Sequence, residues 1–195
     1  MIQLIGLLIL ISFYGSYFGK IWLQRSQGIT TDRMGRGSKP KRTYIIELIL
    51  KLATFSMAGV QMISILVNDR WDLLVSNSTV RYTGAAIALV GTLIFVMAMV
   101  TMRNSWRAGV DETQKTELII VGVYRISRNP AFLGFDLFYL GIALSFLNPV
   151  MLFFLTLCII MLHLQILEEE KYLTSVFGAA YINYKRVTGR YFLFL

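Results

Sequence analysis

Three consecutive carboxylates, Glu168-Glu169-Glu170, stand at the end of a long apolar run, a few residues after His163 and Gln165. Charge at the mouth of a greasy helix is costly and invites a functional role. Gln165 and Glu169 are four residues apart and share one helix face. His163 lies on another face, roughly in line with Glu170. Glu169, Gln165 and His163 are the candidate catalytic residues, and Glu169, Glu170 or His163 could take a proton from an acceptor. The plainer alternative is a solvated acidic turn that favours the start of a following helix through its dipole. Three adjacent like charges call for a cation, either Arg125, Arg128 or a bound ligand.

The second chemical stretch runs from Leu118 to Gly134. It begins apolar, breaks at Gly122, carries Tyr124, Arg125, Arg128 and Asn129, and re-enters apolar sequence at Phe132-Leu133. Pro130 lacks an N–H and suits the first turn of a helix, so a helix is expected to start there. Gly122 and Gly134 allow close backbone approach. So polar a loop at the mouth of a membrane helix reads as a binding site. Asp136, inside the next apolar run, could be a buried partner for an arginine or part of a cavity lining, the structural pairing being the favoured reading. Arg103-Asn104-Ser105-Trp106-Arg107 reads as an interfacial anchor.

These groups must be positioned by membrane helices. Of 195 residues, 56% are hydrophobic, and the mean hydropathy is +0.62, well above that of an ordinary soluble domain. The single cysteine, Cys158, excludes disulfides within the chain and cysteine metal clusters, and one histidine leaves no nitrogen–sulfur zinc site. The net charge of +8 sits beside apolar segments rather than in a separate basic domain, which argues against nucleic acid as a partner.

The expected architecture is all-α, one integral membrane domain over residues 1–195. Three spans fill 1–102 (Met1–Leu23, Tyr44–Val67 and Arg81–Met102), and a catalytic half fills 103–195. There, Ala131–Leu147 and Val150–Leu167 form a hairpin about Asn148-Pro149, each arm near the lower limit for crossing ~30 Å of hydrocarbon. An amphipathic helix broken at Phe177-Gly178 follows. Met1–Leu23 has no basic residue before its apolar core and no cleavage pattern after it, so it reads as a retained span. Basic loops after the first and third spans place the N-terminus outside and the C-terminus in the cytoplasm. Trp71 is expected at the interface, and Glu47 and Lys51 are spaced to pair.

Gly122-x-Tyr124, Arg128-Asn129-Pro130-x-Phe132-x-Gly134, Asn148-Pro149, Glu169-Glu170 and Phe177-Gly178-x-x-Tyr181-x-x-Tyr184 together resemble one family. It is that of the isoprenylcysteine carboxyl methyltransferases and the related membrane phospholipid methyltransferases. The resemblance covers residues 103 to 192 and implies methyl transfer from S-adenosylmethionine, without a metal, to a lipid-like or isoprenoid acceptor entering from the bilayer. It implies a cytoplasmic cofactor site in which Thr116, Glu117, Leu118 and Ile119 line the cofactor by backbone contacts. Tyr124 would lie against it, Asn129, Pro130, Ala131 and Phe132 would continue the wall, and Glu169 would bind its polar end. Two positions depart from the family. Asn129 replaces a common histidine, and Gln165 replaces the arginine that faces the carboxylate in prenylcysteine enzymes, which favours another lipid-borne oxygen, nitrogen or sulfur nucleophile. The competing expectations are a nicotinamide-dependent membrane reductase of the sterol type and a non-catalytic membrane protein.

Overall fold

The computed structural model describes residues 1–36, 39–68, 74–107, 109 and 117–192. Its elements are helices: α1 (Ile2–Ser26), α2 (Lys41–Leu66), α3 (Ser78–Met102), α4 (Pro130–Ser145), α5 (Pro149–Phe177) and α6 (Ala179–Val187), with short 3₁₀ turns at Arg103–Ser105 and Gly122–Arg125. The helix α3 with its following turn, and α1, α2 and α5, are long and apolar enough to cross a membrane. The fourth helix has only 16 residues, about 24 Å at 1.5 Å per residue. The five expected spans are therefore four long apolar helices and one shorter one. Trp71 and Thr116 lie outside the described residues.

Local chemistry sets the helix ends. Pro130 occupies the first turn of α4. The Asn148 side chain accepts from the Met151 N–H at 2.9 Å, with Pro149 in the first turn of α5. Asn77 caps α3 by accepting from the N–H groups of Thr79 and Val80. One expected boundary is corrected. The hairpin arm Val150–Leu167 and the amphipathic helix expected to follow it are one element, α5, which runs unbroken through the three glutamates to Phe177. The break comes at Gly178, whose φ of 51° suits glycine.

The helices α3 and α4 pack backbone to backbone. A Cβ on Gly141 would lie 2.3 Å from the Ala88 nitrogen, and one on Gly91 would lie 2.5 Å from the Phe138 nitrogen. Small residues at such crossings let membrane helices gain packing where the hydrophobic effect gives none. A leucine at Gly141 must separate the helices, at a cost of about 1–3 kcal/mol or more. Gly141→Leu is therefore expected to lower the melting temperature in detergent markedly. Gly15→Leu, which would enter open space, should leave it within a degree or two of wild type, at the scale of a neutral surface change.

Against this pair lies α1. Its Phe13 ring is fully buried, stacked on Phe138 at 3.8 Å and on Phe95 at 4.7 Å between centroids. On the other side, α2 pairs with α5 through a core of Leu50, Met57, Leu155 and Leu162. One end of the bundle is tied by Gln3 donating to the Ile65 carbonyl, Asn148 to Ser64, and Arg81 to the Ser145 carbonyl. At the other end, Gln24 on α1 donates to the Arg103 and Trp106 carbonyls and accepts from Thr31. The chain after α1 is thereby folded under the bundle.

Three further expectations change. Glu47 and Lys51 take other partners: Glu47 accepts from Lys39 Nζ at 2.6 Å and from the Gly35 N–H, while Lys51 meets Asp32 at 2.5 Å. The folded loop, invisible to helical spacing, supplies both. Trp106 is buried rather than interfacial, edge-on to Tyr17 at 5.6 Å, because an apolar slot beneath α1 receives its ring. Asp136 forms no ion pair among the described residues, and its Oδ1 is buried without a hydrogen-bond partner.

Candidate active site

Successive residues of a helix point about 100° apart, so the three glutamates on α5 face three surroundings. Glu168 accepts from Thr43 on α2 at 2.7 Å and from Lys171 at 2.8 Å, and it meets Arg42. Glu170 is 4% exposed and collects the C-terminal tail. It accepts from Arg128 at 2.9 Å, Arg190 at 3.0 Å and the Asn129 amide at 3.3 Å. Glu169 points between them. It accepts from Gln165 Nε2 at 3.1 Å, and no cation stands within ion-pair distance of it among the described residues. Gln165 is wholly buried, and its Oε1 has no hydrogen-bond partner.

Glu169 lines a cavity of about 350 Å³ to which all of α1 to α5 contribute. Most of its wall is aromatic or aliphatic: Tyr14, Tyr17, Phe95, Trp106, Phe132 and Phe135 are examples. Phe18 and Phe55 belong both to this wall and to the outer surface, at 58% and 79% exposed. The cavity therefore opens sideways between α1 and α2, toward the region that lipid occupies. The other polar groups in its lining include Asp32, Lys51, Thr54 and Arg107. The α2 lysine stands ten residues into an apolar helix, which was the available sequence signal for this wall. The contributions of Tyr17 and Trp106 carried no such signal.

The stretch before α4 is fastened beside this cavity. Ala131 and Phe132 line it, and Pro130 is buried behind them. Tyr124 is buried, and its carbonyl accepts from the Tyr184 hydroxyl at 2.5 Å. Burial pushes the Tyr124 phenol well above its ordinary range, and the nearby Glu169 carboxylate adds to that rise. Asn129 turns to Glu170 and the Arg190 carbonyl rather than to Glu169. Glu117 is exposed, and Leu118 and Ile119 are partly buried in an irregular segment. These three are not among the described residues lining the cavity. His163 faces the tail instead, its Nδ1 lying 2.7 Å from the Tyr191 hydroxyl.

A family model described as phospholipid methyltransferase matches residues 80–180. The chain belongs to that family. The matched residues hold α3, α4, α5 and the stretch before α4, and with them Gln165, Glu169 and the α4 wall of the cavity. Protein-S-isoprenylcysteine O-methyltransferase of Saccharomyces cerevisiae is 34% identical over 109 residues, which are 54% of this chain and 46% of that protein. Protein-S-isoprenylcysteine O-methyltransferase A of Arabidopsis thaliana is 24% identical over 162 residues, 72% of this chain and 82% of its own length. A probable enzyme of the same name from Oryza sativa subsp. indica is 30% identical over 108 residues, 54% of this chain and 56% of that one. The chain thus spans about half the length of the yeast and rice relatives. The walls contributed by α1, α2 and the loop between them lie outside the family match.

Proposed function

We propose that the protein transfers a methyl group from S-adenosylmethionine to a lipid-like acceptor that enters its cavity from the bilayer. The observation that carries this reading is Glu169 on a largely apolar cavity wall, held from behind by the Gln165 amide. A carboxylate with no described cation in ion-pair reach complements a ligand that carries positive charge. S-adenosylmethionine fits that carboxylate, with its sulfonium and ammonium groups. When bound, it supplies an electrophilic methyl group.

The residues of the chain then have separable roles. Glu169, oriented by the Gln165 amide, holds the cationic end, and Ala131 and Phe132 continue the wall on α4. Tyr14, Phe95, Trp106 and Phe135 exclude water, which would otherwise compete for the methyl group. Alignment of two reactants in one closed space supplies most of the rate, with no covalent enzyme intermediate. Tyr124, Asn129 and Pro130 belong to the stretch that leads into α4 beside this space, within the matched half. We place this side in the cytoplasm, on the basic loops that follow α1 and α3.

The acceptor's reacting end is a carboxylate, hydroxyl or amine on a hydrophobic chain. Lys51 lines the cavity, and Asp32 accepts from one of its three N–H groups. It offers from α2 the cation that Gln165 does not supply, and this favours a carboxylate, in keeping with the names of the relatives. The test is incubation of membranes holding the protein with methyl-labelled S-adenosylmethionine, followed by extraction. Label in one lipid-soluble product, base-labile if it is a methyl ester, is the expected result. Absence of protein-dependent label, or binding of a nicotinamide cofactor in its place, would overturn the reading.

A further inference from the structure

Away from the cavity, two adjoining clefts lie between α2 and the end of α5. One, of about 570 Å³, is lined by Arg42, Leu167, Glu170, Lys171, Thr174, Lys185 and Arg190. The other, of about 470 Å³, is lined by Lys41, Arg42, Ile45, Ile46 and Leu164. Arg42 belongs to both, so they form one groove. Five cations stand along it against two carboxylates, Glu168 and Glu170. The neutralisation is incomplete: Lys41 has no acidic partner among the described residues, Arg42 is 65% exposed and 3.4 Å from Glu168, and Lys185 is 4.0 Å from Glu170.

The groove also has a direction. Lys41 and Arg42 open α2, and Lys171 lies in the last turns of α5. Below them, Ile45, Ile46 and Leu164 continue down the spanning stretches of both helices. Positive groups at the helix ends above an apolar floor have the form of a phospholipid, with its phosphate at headgroup level and a chain along the helices. Basic pockets between membrane helices bind anionic headgroups in this way.

We propose that this groove binds the phosphate headgroup of an anionic membrane lipid, at a site separate from the cavity. Lys41, Arg42 and Lys171 face the phosphate, Lys185 and Arg190 close the far side, and a chain rests on Ile45 and Leu164. A soluble acidic protein would use the cations but not the apolar floor, so the lipid is the better match.

The test uses the full chain in nanodiscs of phosphatidylcholine, with and without one-fifth phosphatidylglycerol. The wild type is expected to melt about 3 °C or more higher with the anionic lipid, as ligand binding to the folded state requires. It should also retain phosphatidylglycerol in native mass spectrometry after detergent exchange. Lys41→Gln/Arg42→Gln should lose most of the shift and the retained lipid. Lys20→Gln/Arg25→Gln removes as much charge from α1, outside the groove, and should keep both. Equal loss in the two double variants would reduce the effect to general attraction of a basic protein to an anionic surface and overturn the site. So would an equal shift from millimolar inorganic phosphate in phosphatidylcholine alone, which would make the ligand a free anion. If the Lys41/Arg42 variant already melts lower in phosphatidylcholine, Lys171→Gln, which leaves α2 intact, must show the same loss of retained lipid for the proposal to stand.

Discussion

Replacing Glu169 by alanine is expected to reduce S-adenosylmethionine binding below detection by calorimetry in detergent. A hydrogen bond to a charged group contributes about 1.5–3 kcal/mol, which is roughly 10- to 150-fold in affinity. Attraction between the carboxylate and a cation on an apolar wall, where water screens little, adds to that. Glu169→Gln keeps the volume and should lose nearly as much, which separates charge from packing. The fold should respond in the opposite sense. A carboxylate with only an amide partner in such a wall costs stability, and a neutral residue relieves that cost. Both variants are therefore expected to melt at or above the wild-type temperature while losing the donor. Unchanged affinity would remove Glu169 from the site.

What could be read in advance was whatever depends on neighbours in sequence. Pro130 announced the start of α4, Asn148-Pro149 the turn into α5, and Gly178 the break before α6, each through its own backbone chemistry. The four-residue spacing of Gln165 and Glu169 likewise yielded a pair that is hydrogen-bonded in the structure. Partners distant in sequence were not legible. Lys51 was expected to meet Glu47 one turn away, yet it meets Asp32 in a loop that folds back under α1. Trp106 carried the composition of an interfacial residue, and only the arrival of Tyr17 buries it. Of the glycines between α3 and α4, Gly134 was expected to allow a close approach and meets Gly91 and Phe95, whereas Gly84, Gly91 and Gly141 are unremarkable until the other helix is beside them. Arg128 was correctly suspected of serving the acidic run. Which of three carboxylates it serves depends on how α5 is turned toward its neighbours, which helical spacing alone does not set.

That rotation gives Arg128 to Glu170 and leads to the second large effect. Glu170→Ala leaves Arg128, only 8% exposed, without its carboxylate, and removes the acceptor of Arg190 and Asn129 as well. Breaking one side of a buried ion pair costs about 3–5 kcal/mol, because the remaining charge stays desolvated. The Glu170 carboxylate also holds the Arg190 guanidinium above its ordinary range, so both cations report on the same group. The loss is not spread evenly over the molecule. Arg128 also donates to the Thr188 and Lys185 carbonyls and, through its N–H, to the Gly189 carbonyl, while Ser127 donates to the Arg190 carbonyl. The tail from 188 to 191 is thus tied to the stretch before α4 through residues that Glu170 orients. Glu170→Ala is expected to lower the melting temperature and to expose Arg186 and Arg190 to trypsin well before α5 is cut. Glu170→Gln/Arg128→Gln removes both charges together and should recover part of the loss, since no isolated cation remains buried. A double variant as unstable as the sum of its singles would mean that shape, rather than charge, holds the tail against the stretch before α4.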